Sequence, residues 1–271
     1  MIAEGSGDVR LHVFASGSKG NCSVVENSAT GALVVIDCGI SKRAFMESCA
    51  ACGLDPARVE AVLVTHEHSD HVKGLGVLTR GLARLGAHPA LYASAAVHAA
   101  SPDICSIQDA VDLRHFKAGD DLNVGGMRVR PFATSHDAAE SFGFRFESAA
   151  DAIGFMTDTG FVTQEAHEAL QGCRVLAIEA NHDVDMLAKG PYPYYLKARV
   201  GGDRGHLSND QSAELLESLL CNELQQVIGM HVSQNNNTYA LPPLTLGDVL
   251  GRNSHPAQAH VGYQARIVSV G

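Results

Sequence analysis

The chain has 271 residues, 45% of them apolar, with a formal net charge of −10 and no tryptophan. That is enough apolar material for one large core, so a single domain spanning 1–271 is expected. The acidic balance argues against strong nonspecific attraction to nucleic acid, yet it does not exclude a phosphate substrate, because bound cations invert the local potential.

Short apolar segments alternate with turns through the first third. Leu11–Ala15, Cys22–Glu26, Ala32–Asp37 and Ala61–Thr65 read as strands. Between the first two, Ser16–Asn21 is glycine-rich but lacks the Lys-Ser/Thr ending of a phosphate-binding loop. It reads as a tight hairpin turn whose small residues let backbone approach a cleft. Phe45–Cys52 reads as a small-residue helix. Its Cys49 and Cys52 form a CxxC, but without a second pair or a thioredoxin-like frame the thiols read as packing. A helical stretch follows over His71–Leu85. Strand-like segments return at Met127–Phe132, Phe142–Phe146, Ala152–Thr157 and Arg174–Ala180. Lys189–Gly205, rich in Pro, Tyr and Gly, reads as a long surface loop. Ser212–Glu223 reads as an amphipathic helix with Leu215, Leu216, Leu219 and Leu220 on one face. Gln226–His231 is the last clear central strand.

Seven scattered cysteines read as reduced thiols in a reducing compartment. Met1–Asp8 has neither the basic start nor the apolar stretch of a secretion signal, so a cytoplasmic location is expected. No apolar run approaches the roughly 18 residues that span a bilayer, so no membrane association is expected.

The most informative stretch is Thr65-His66-Glu67-His68-Ser69-Asp70-His71, directly after an apolar strand. Residues two apart in an extended segment face one side, so His66 and His68 can reach one cation together. Asp70 and His71 come as the chain turns into a helix and can reach a second. Zinc, manganese and iron all accept this mixture of nitrogen and oxygen. Other apolar runs also end on polar residues: Asp37, His136, Asp158, Asn181 and His231. One rim of the sheets therefore carries the chemistry. Taken singly, His136 reads equally as a turn residue, Asp158 as a cap and His231 as a hydrogen-bonded core histidine.

Together, the HxHxDH set (His66, His68, Asp70, His71), the later His136 and Asp158 and the final His231 resemble the metallo-β-lactamase superfamily over nearly the whole chain. That resemblance implies a four-layer αββα sandwich with a two-metal cleft at one edge. It implies that His66, His68 and His136 hold one divalent ion, that Asp70, His71 and His231 hold another, and that Asp158 bridges them. Ser16–Cys22, Ile36–Gly39, Glu179–Asp183, Gly205–Asn209 and His231–Asn237 are similar to the bacterial YycJ/WalJ-type subgroup. Val232 departs slightly, standing where that subgroup usually has Leu. The subgroup implies a DNA-directed 5′→3′ exonuclease in which a metal-bridging hydroxide attacks phosphorus.

In the superfamily Asp37 orients the metal loop; its residues alone equally suggest a cap for the helix from Ser41. Asp70, beside the nucleophile, is expected to accept its proton as well as bind metal. His206, before Leu207-Ser208-Asn209, is the candidate donor of a proton to the leaving oxygen; the other reading is an exposed residue before a cap at Ser208 or Asn209. His182-Asp183 and His136-Asp137 invite comparison with HD phosphohydrolases, but those are all-helical and both pairs here follow β-like runs. Whether His182 lines the cleft stays open. Lys189, Lys197, Arg199 and Arg204, interleaved with Tyr192, Tyr194 and Tyr195, suit a nucleic-acid strand or an ordinary solvated surface. The competing functions are a small-molecule hydrolase (a cyclic phosphodiesterase or a glyoxalase-II-like thioesterase) and a noncatalytic regulatory protein. The last is disfavoured because every expected ligand is present. Oligomeric state is not legible.

Overall fold

The computed structural model describes residues 8–149 and 151–271. Of the N-terminal stretch read for a secretion signal, all but Asp8 lies outside the described residues. Two seven-stranded sheets carry the molecule. The first contains β1 (Val9–Ala15), β2 (Cys22–Asn27), β3 (Ala32–Ile36), β4 (Val59–Leu63), β5 (Ala90–Ala93) and β6 (Asp112–His115). The second contains β7 (Leu122–Val124), β8 (Met127–Ala133), β9 (Phe142–Ser148), β10 (Asp151–Met156), β11 (Val175–Glu179), β12 (Gln226–Met230) and β13 (Gln258–Val261). The last strand, β14 (Val268–Val270), returns to the edge of the first sheet beside β1. Apart from β14 beside β1, neighbours follow chain order in both sheets, and each sheet is antiparallel in one half and parallel in the other.

The helices are α1 (Lys42–Cys52), α2 (Ser69–Val72), α3 (Leu75–Ala83), α4 (Ala95–Ala100), α5 (Pro102–Cys105), α6 (Gln164–Leu170), α7 (Val184–Lys189), α8 (Tyr194–Val200), α9 (Asn209–Leu219) and α10 (Leu241–Arg252). Leu11, Val25 and Val35 of the first sheet meet Phe144, Phe146 and Ile153 of the second in one buried cluster, which Phe45 of α1 and Leu78 and Leu82 of α3 extend. On the outer face of the second sheet, Leu170 of α6, Leu216 and Leu219 of α9 and Val249 of α10 cover Ile178 and Val227. Each such buried leucine contributes roughly 1.5–3 kcal/mol. The result is the αββα layering expected from the sequence. Among the described residues no helix is long and apolar enough to cross a membrane.

Several boundaries differ from the sequence reading. The helix expected over His71–Leu85 is two, broken at Lys73-Gly74, where the Gly74 N–H donates to the Cys38 carbonyl at 2.8 Å instead of to the preceding turn, an approach so close that no Cβ fits there. The helix expected from Ser212 starts at Asn209, since Ser208 and Gln211 form a reciprocal capping box. Lys189–Gly205 is not simply a loop: it contains α8, which starts after Pro193 and buries no residue. The CxxC lies in α1 as free thiols, with Cys49 buried and its pKa pushed up to about 12 by burial, as packing cysteines should be.

At the end of β10 remote from the strand-end loops, Asp151 is closed by protein donors. Arg174 reaches its two oxygens from Nε and Nη2, both at 2.7 Å, and the Val9 N–H donates to Oδ2 at 3.0 Å. Arg174 Nη2 also donates to the Val9 carbonyl at 2.7 Å, tying the first strand of one sheet to the second sheet.

Candidate metal centre

The loops after β3, β4, β8, β10, β11 and β12 meet at one rim. Asp37, Asp158 and His231, each just past the end of its strand, have left-handed φ of 57°, 56° and 54°. That conformation costs a residue with a Cβ roughly 1–2 kcal/mol, and such strain gathers at functional sites. Here it turns a side chain out of the strand pleat and toward the other loops.

Asp37 anchors the HxHxDH segment. It accepts from the Thr65 N–H and hydroxyl at 2.9 and 2.8 Å and from His71 Nδ1 at 2.7 Å. Ser41, not Asp37, caps α1, so the orienting reading of Asp37 describes its contacts. Because the Thr65 hydroxyl proton points to Asp37, His66 Nδ1 must donate to Thr65 Oγ1 at 3.0 Å. His66 Nε2 is then a bare acceptor, buried and without a hydrogen-bond partner. Gly39 packs so closely on the Asp70 carbonyl that no Cβ fits there. Next to it, the Asn21 N–H donates to the same carbonyl at 2.7 Å. The Asn21 side chain reaches Asp70 Oδ2 at 3.3 Å and His71 Nε2 at 2.9 Å, so the glycine-rich turn does approach the cleft.

Four groupings of ligand atoms lie within 4.8 Å of one another: His66, His68 and His136; Asp70, His71 and His231; His66, His71 and Asp158; and Asp158, Glu179, His206 and His231. All seven residues expected to hold metal from the sequence are therefore brought together. Asp158 lies between the groups, with Oδ1 2.7 Å from His231 Nδ1 and Oδ2 3.5 Å from His71 Nε2. Asp158 Oδ2 is buried and has no hydrogen-bond partner.

Burial and the neighbouring His71 hold His66 well below the usual imidazole range, and burial lowers His136. Burial also opposes a charge on His71, but Asp158 and Asp37 outweigh it and raise His71 to about 9. Asp158 is held well below the usual carboxylate range, as His231 and His71 overcome the burial that would raise it. The donor set asks for positive charge. Bare imidazole nitrogens and a buried carboxylate oxygen without a donor are what divalent ions satisfy, and the residues present fit them.

One member of the site escaped sequence reasoning. Glu179, fully buried at the end of β11, accepts from His206 Nδ1 at 2.8 Å and, through Oε2, from the Thr159 N–H at 2.9 Å. Burial disfavours its charge, but His206 outweighs it, and the carboxyl sits at about 2. His206 Nδ1 also lies 3.8 Å from Asp158 Oδ1. Ser208 caps α9, as the second reading had it, but His206 is not exposed: its ring is half-buried and faces the cluster. His182 is buried with an unpartnered Nδ1, and no grouping includes it; Asp183 caps α7.

The basic residues before His206 are engaged with the protein. Lys189 pairs with Asp185, Lys197 donates to the Ala188 carbonyl, Arg199 pairs with Asp137, and Arg204 donates to the His136 and Ala138 carbonyls. Tyr192 is bonded to Asn235, whereas Tyr194 and Tyr195 are exposed.

Residues 33–232 match the beta-lactamase superfamily domain. The chain is 33% identical over 242 residues to the exodeoxyribonuclease YycJ of Bacillus anthracis, covering 89% of each chain. It is 33% identical over 255 residues to the exodeoxyribonuclease WalJ of Streptococcus pneumoniae, covering 93% of this chain and 90% of that one. The solved metallo-beta-lactamase fold protein YhfI of Bacillus subtilis superposes with a TM-score of 0.71 at 13% identity, covering 96% of this chain and 99% of that one. On the fold, the strand-end cluster and these similarities, the chain belongs to the metallo-β-lactamase superfamily of metal-dependent hydrolases, within its YycJ/WalJ-type subgroup.

Proposed function

We propose that the protein is a two-metal phosphodiesterase acting on DNA as a 5′→3′ exonuclease. His66, His68 and His136 hold one divalent ion, Asp70, His71 and His231 the other, and Asp158 bridges them. Zinc, manganese and iron all suit this set. When bound, the ions supply Lewis acidity, making water more acidic and neutralising phosphate charge. The chain's own residues do the rest. Asp37 and Thr65 fix the faces of His71 and His66. Asp70, half-buried beside the cluster, is placed to take up the proton of the attacking water.

The observation that carries this reading is the His206–Glu179 pair, 2.8 Å apart. A sugar alkoxide is a poor leaving group and needs a proton as the P–O bond breaks. Glu179, ionised and buried, accepts from Nδ1 and fixes the orientation of the ring, and His206 is the general acid. A thioester expels a thiolate, which leaves without such a proton; the pair therefore favours phosphodiester over thioester hydrolysis. Support for DNA comes from the two exodeoxyribonuclease relatives. The exposed Tyr194 and Tyr195 suit stacking on single-stranded bases. Seven free thiols suit a reducing cytoplasm.

The test is cleavage by metal-loaded protein of 5′- and 3′-end-labelled single- and double-stranded DNA, RNA and a p-nitrophenyl diester. Stepwise loss of DNA from the 5′ end is expected. His206→Ala should cut DNA turnover by about 10²-fold or more and spare the nitrophenyl ester, whose leaving group needs no proton. Intact DNA with cleavage of the small ester alone would overturn the reading.

A further inference from the structure

The loop after β8 holds a half-buried carboxylate that the proposed ligand set does not use. Asp137 Oδ1 is buried and has no hydrogen-bond donor. It lies 3.3 Å from His136 Nε2 and 3.9 Å from His68 Nε2. His136 Nδ1 donates to the Gly205 carbonyl at 3.1 Å, so the neutral ring has a bare lone pair on Nε2. A carboxylate oxygen and an imidazole lone pair thus face each other with nothing positive between them. The arrangement is not slack. Asp137 Oδ2 is held at 2.5 Å by Arg199 of α8. The loop is strapped by Ser135 Oγ to the Asp203 carbonyl at 2.7 Å and by Arg204 Nε to the His136 carbonyl at 3.1 Å. On its other side, the Ala139 N–H donates to Glu67 Oε1 at 2.7 Å. Braced on both sides, the loop holds Oδ1 against the two imidazoles.

We propose that Asp137 is an additional ligand: its Oδ1 binds the divalent ion held by His66, His68 and His136, while Arg199 grips Oδ2 and positions the carboxylate. This rests on the metal reading above and adds a second anionic oxygen to a site otherwise made of three neutral imidazoles and the bridging Asp158. Arg199 and Arg204 accordingly serve the metal loop rather than forming a free basic surface.

The experiment is metal titration of the full chain against a chromophoric chelator, with visible spectra of the cobalt(II)-substituted protein. Wild type is expected to bind two ions. Asp137→Asn keeps the side-chain shape and should weaken one of the two ions by about 10–100-fold and change the cobalt spectrum. Arg199→Gln breaks the same strap but keeps the carboxylate, and should weaken that ion by clearly less than Asp137→Asn does. Asp137→Cys should add a sulfur-to-cobalt charge-transfer band in the near ultraviolet that wild type lacks, a reading that only a direct bond produces. Two ions bound normally by Asp137→Asn, with no new band in Asp137→Cys, would overturn this assignment alone. An equal loss of affinity in Arg199→Gln would assign the effect to the strap and likewise overturn it. Failure of wild type to bind any ion would bring down the metal reading itself. Melting of the metal-free variants separates misfolding from ligand loss, and a variant that does not fold leaves the decision to the remaining two.

Discussion

Strand β10 begins on one buried aspartate, Asp151, and runs into another, Asp158, just beyond its far end. Their surroundings are opposite. Both oxygens of Asp151 accept from donors within the protein, chiefly Arg174. Asp158 is ringed by imidazoles, and one of its oxygens has no donor. Arginine carries its positive charge at every accessible pH, so it closes a carboxylate permanently. Histidines can give the charge up, so the cluster at the other end is free to exchange protons for metal ions. The first aspartate holds two sheets together; the second keeps a place for something from outside.

The sharpest break of this comparison is Asp158→Asn. We expect hydrolysis to fall on the order of 10³-fold, with loss of metal in elemental analysis, while the urea midpoint of the metal-free protein falls only by what the lost pairing with His71 and His231 contributes. Equal activity would remove Asp158 from the centre. Arg174→Ala should do the reverse. Leaving Asp151 buried and unpaired costs about 3–5 kcal/mol, read as a lower urea midpoint, with metal stoichiometry unaltered in the folded fraction; an unchanged midpoint would mean that water replaces the guanidinium.

Acidity gives a smaller and more graded test. His71 is raised to about 9 in the metal-free protein, so a cation must displace its proton. Metal affinity should therefore fall as pH drops below about 9, and calorimetry in buffers of differing ionisation enthalpy should register net proton release. For folding the sign is different. A raised histidine adds stability that is full below its unfolded value near 6.5 and is lost as pH rises through about 9. The metal-free protein should lose a part of its stability between those values, and the loaded protein should not. Glu179 works on the acid side: its carboxyl is depressed to about 2, so its contribution is present above the unfolded value near 4.5 and fades as pH falls toward 2. Glu179→Gln should flatten that limb of the stability curve.

The candidate ligands are legible because chemistry interrupts pattern. Four ligand-type residues within six after an apolar strand cannot serve a solvated turn economically, and His136, Asp158 and His231 each end an apolar run. Glu179 hid for the opposite reason: it is the last residue of an apolar strand, and burial made it look like part of the strand. The Asp137–Arg199 pair hid because its partners are 62 residues apart and only the meeting of two loops joins them. Helix α8 was obscured by Pro193 and three tyrosines, which signal a loop, whereas proline simply stands at the helix start. The short strands β5, β6, β7, β13 and β14 were missed or left unplaced, as three or four residues give too little alternation to count.

The left-handed backbone at Asp37, Asp158 and His231 also bears on how the molecule should be interrogated. Alanine, the usual probe, removes the polar atoms but keeps the Cβ that the conformation resists, so it mixes two effects in one number. Glycine removes both. A glycine at 158 or 231 should give an inactive protein that folds more firmly than the alanine version, and the gap between the two measures how much conformational tension the chain tolerates in order to keep its reactive edge.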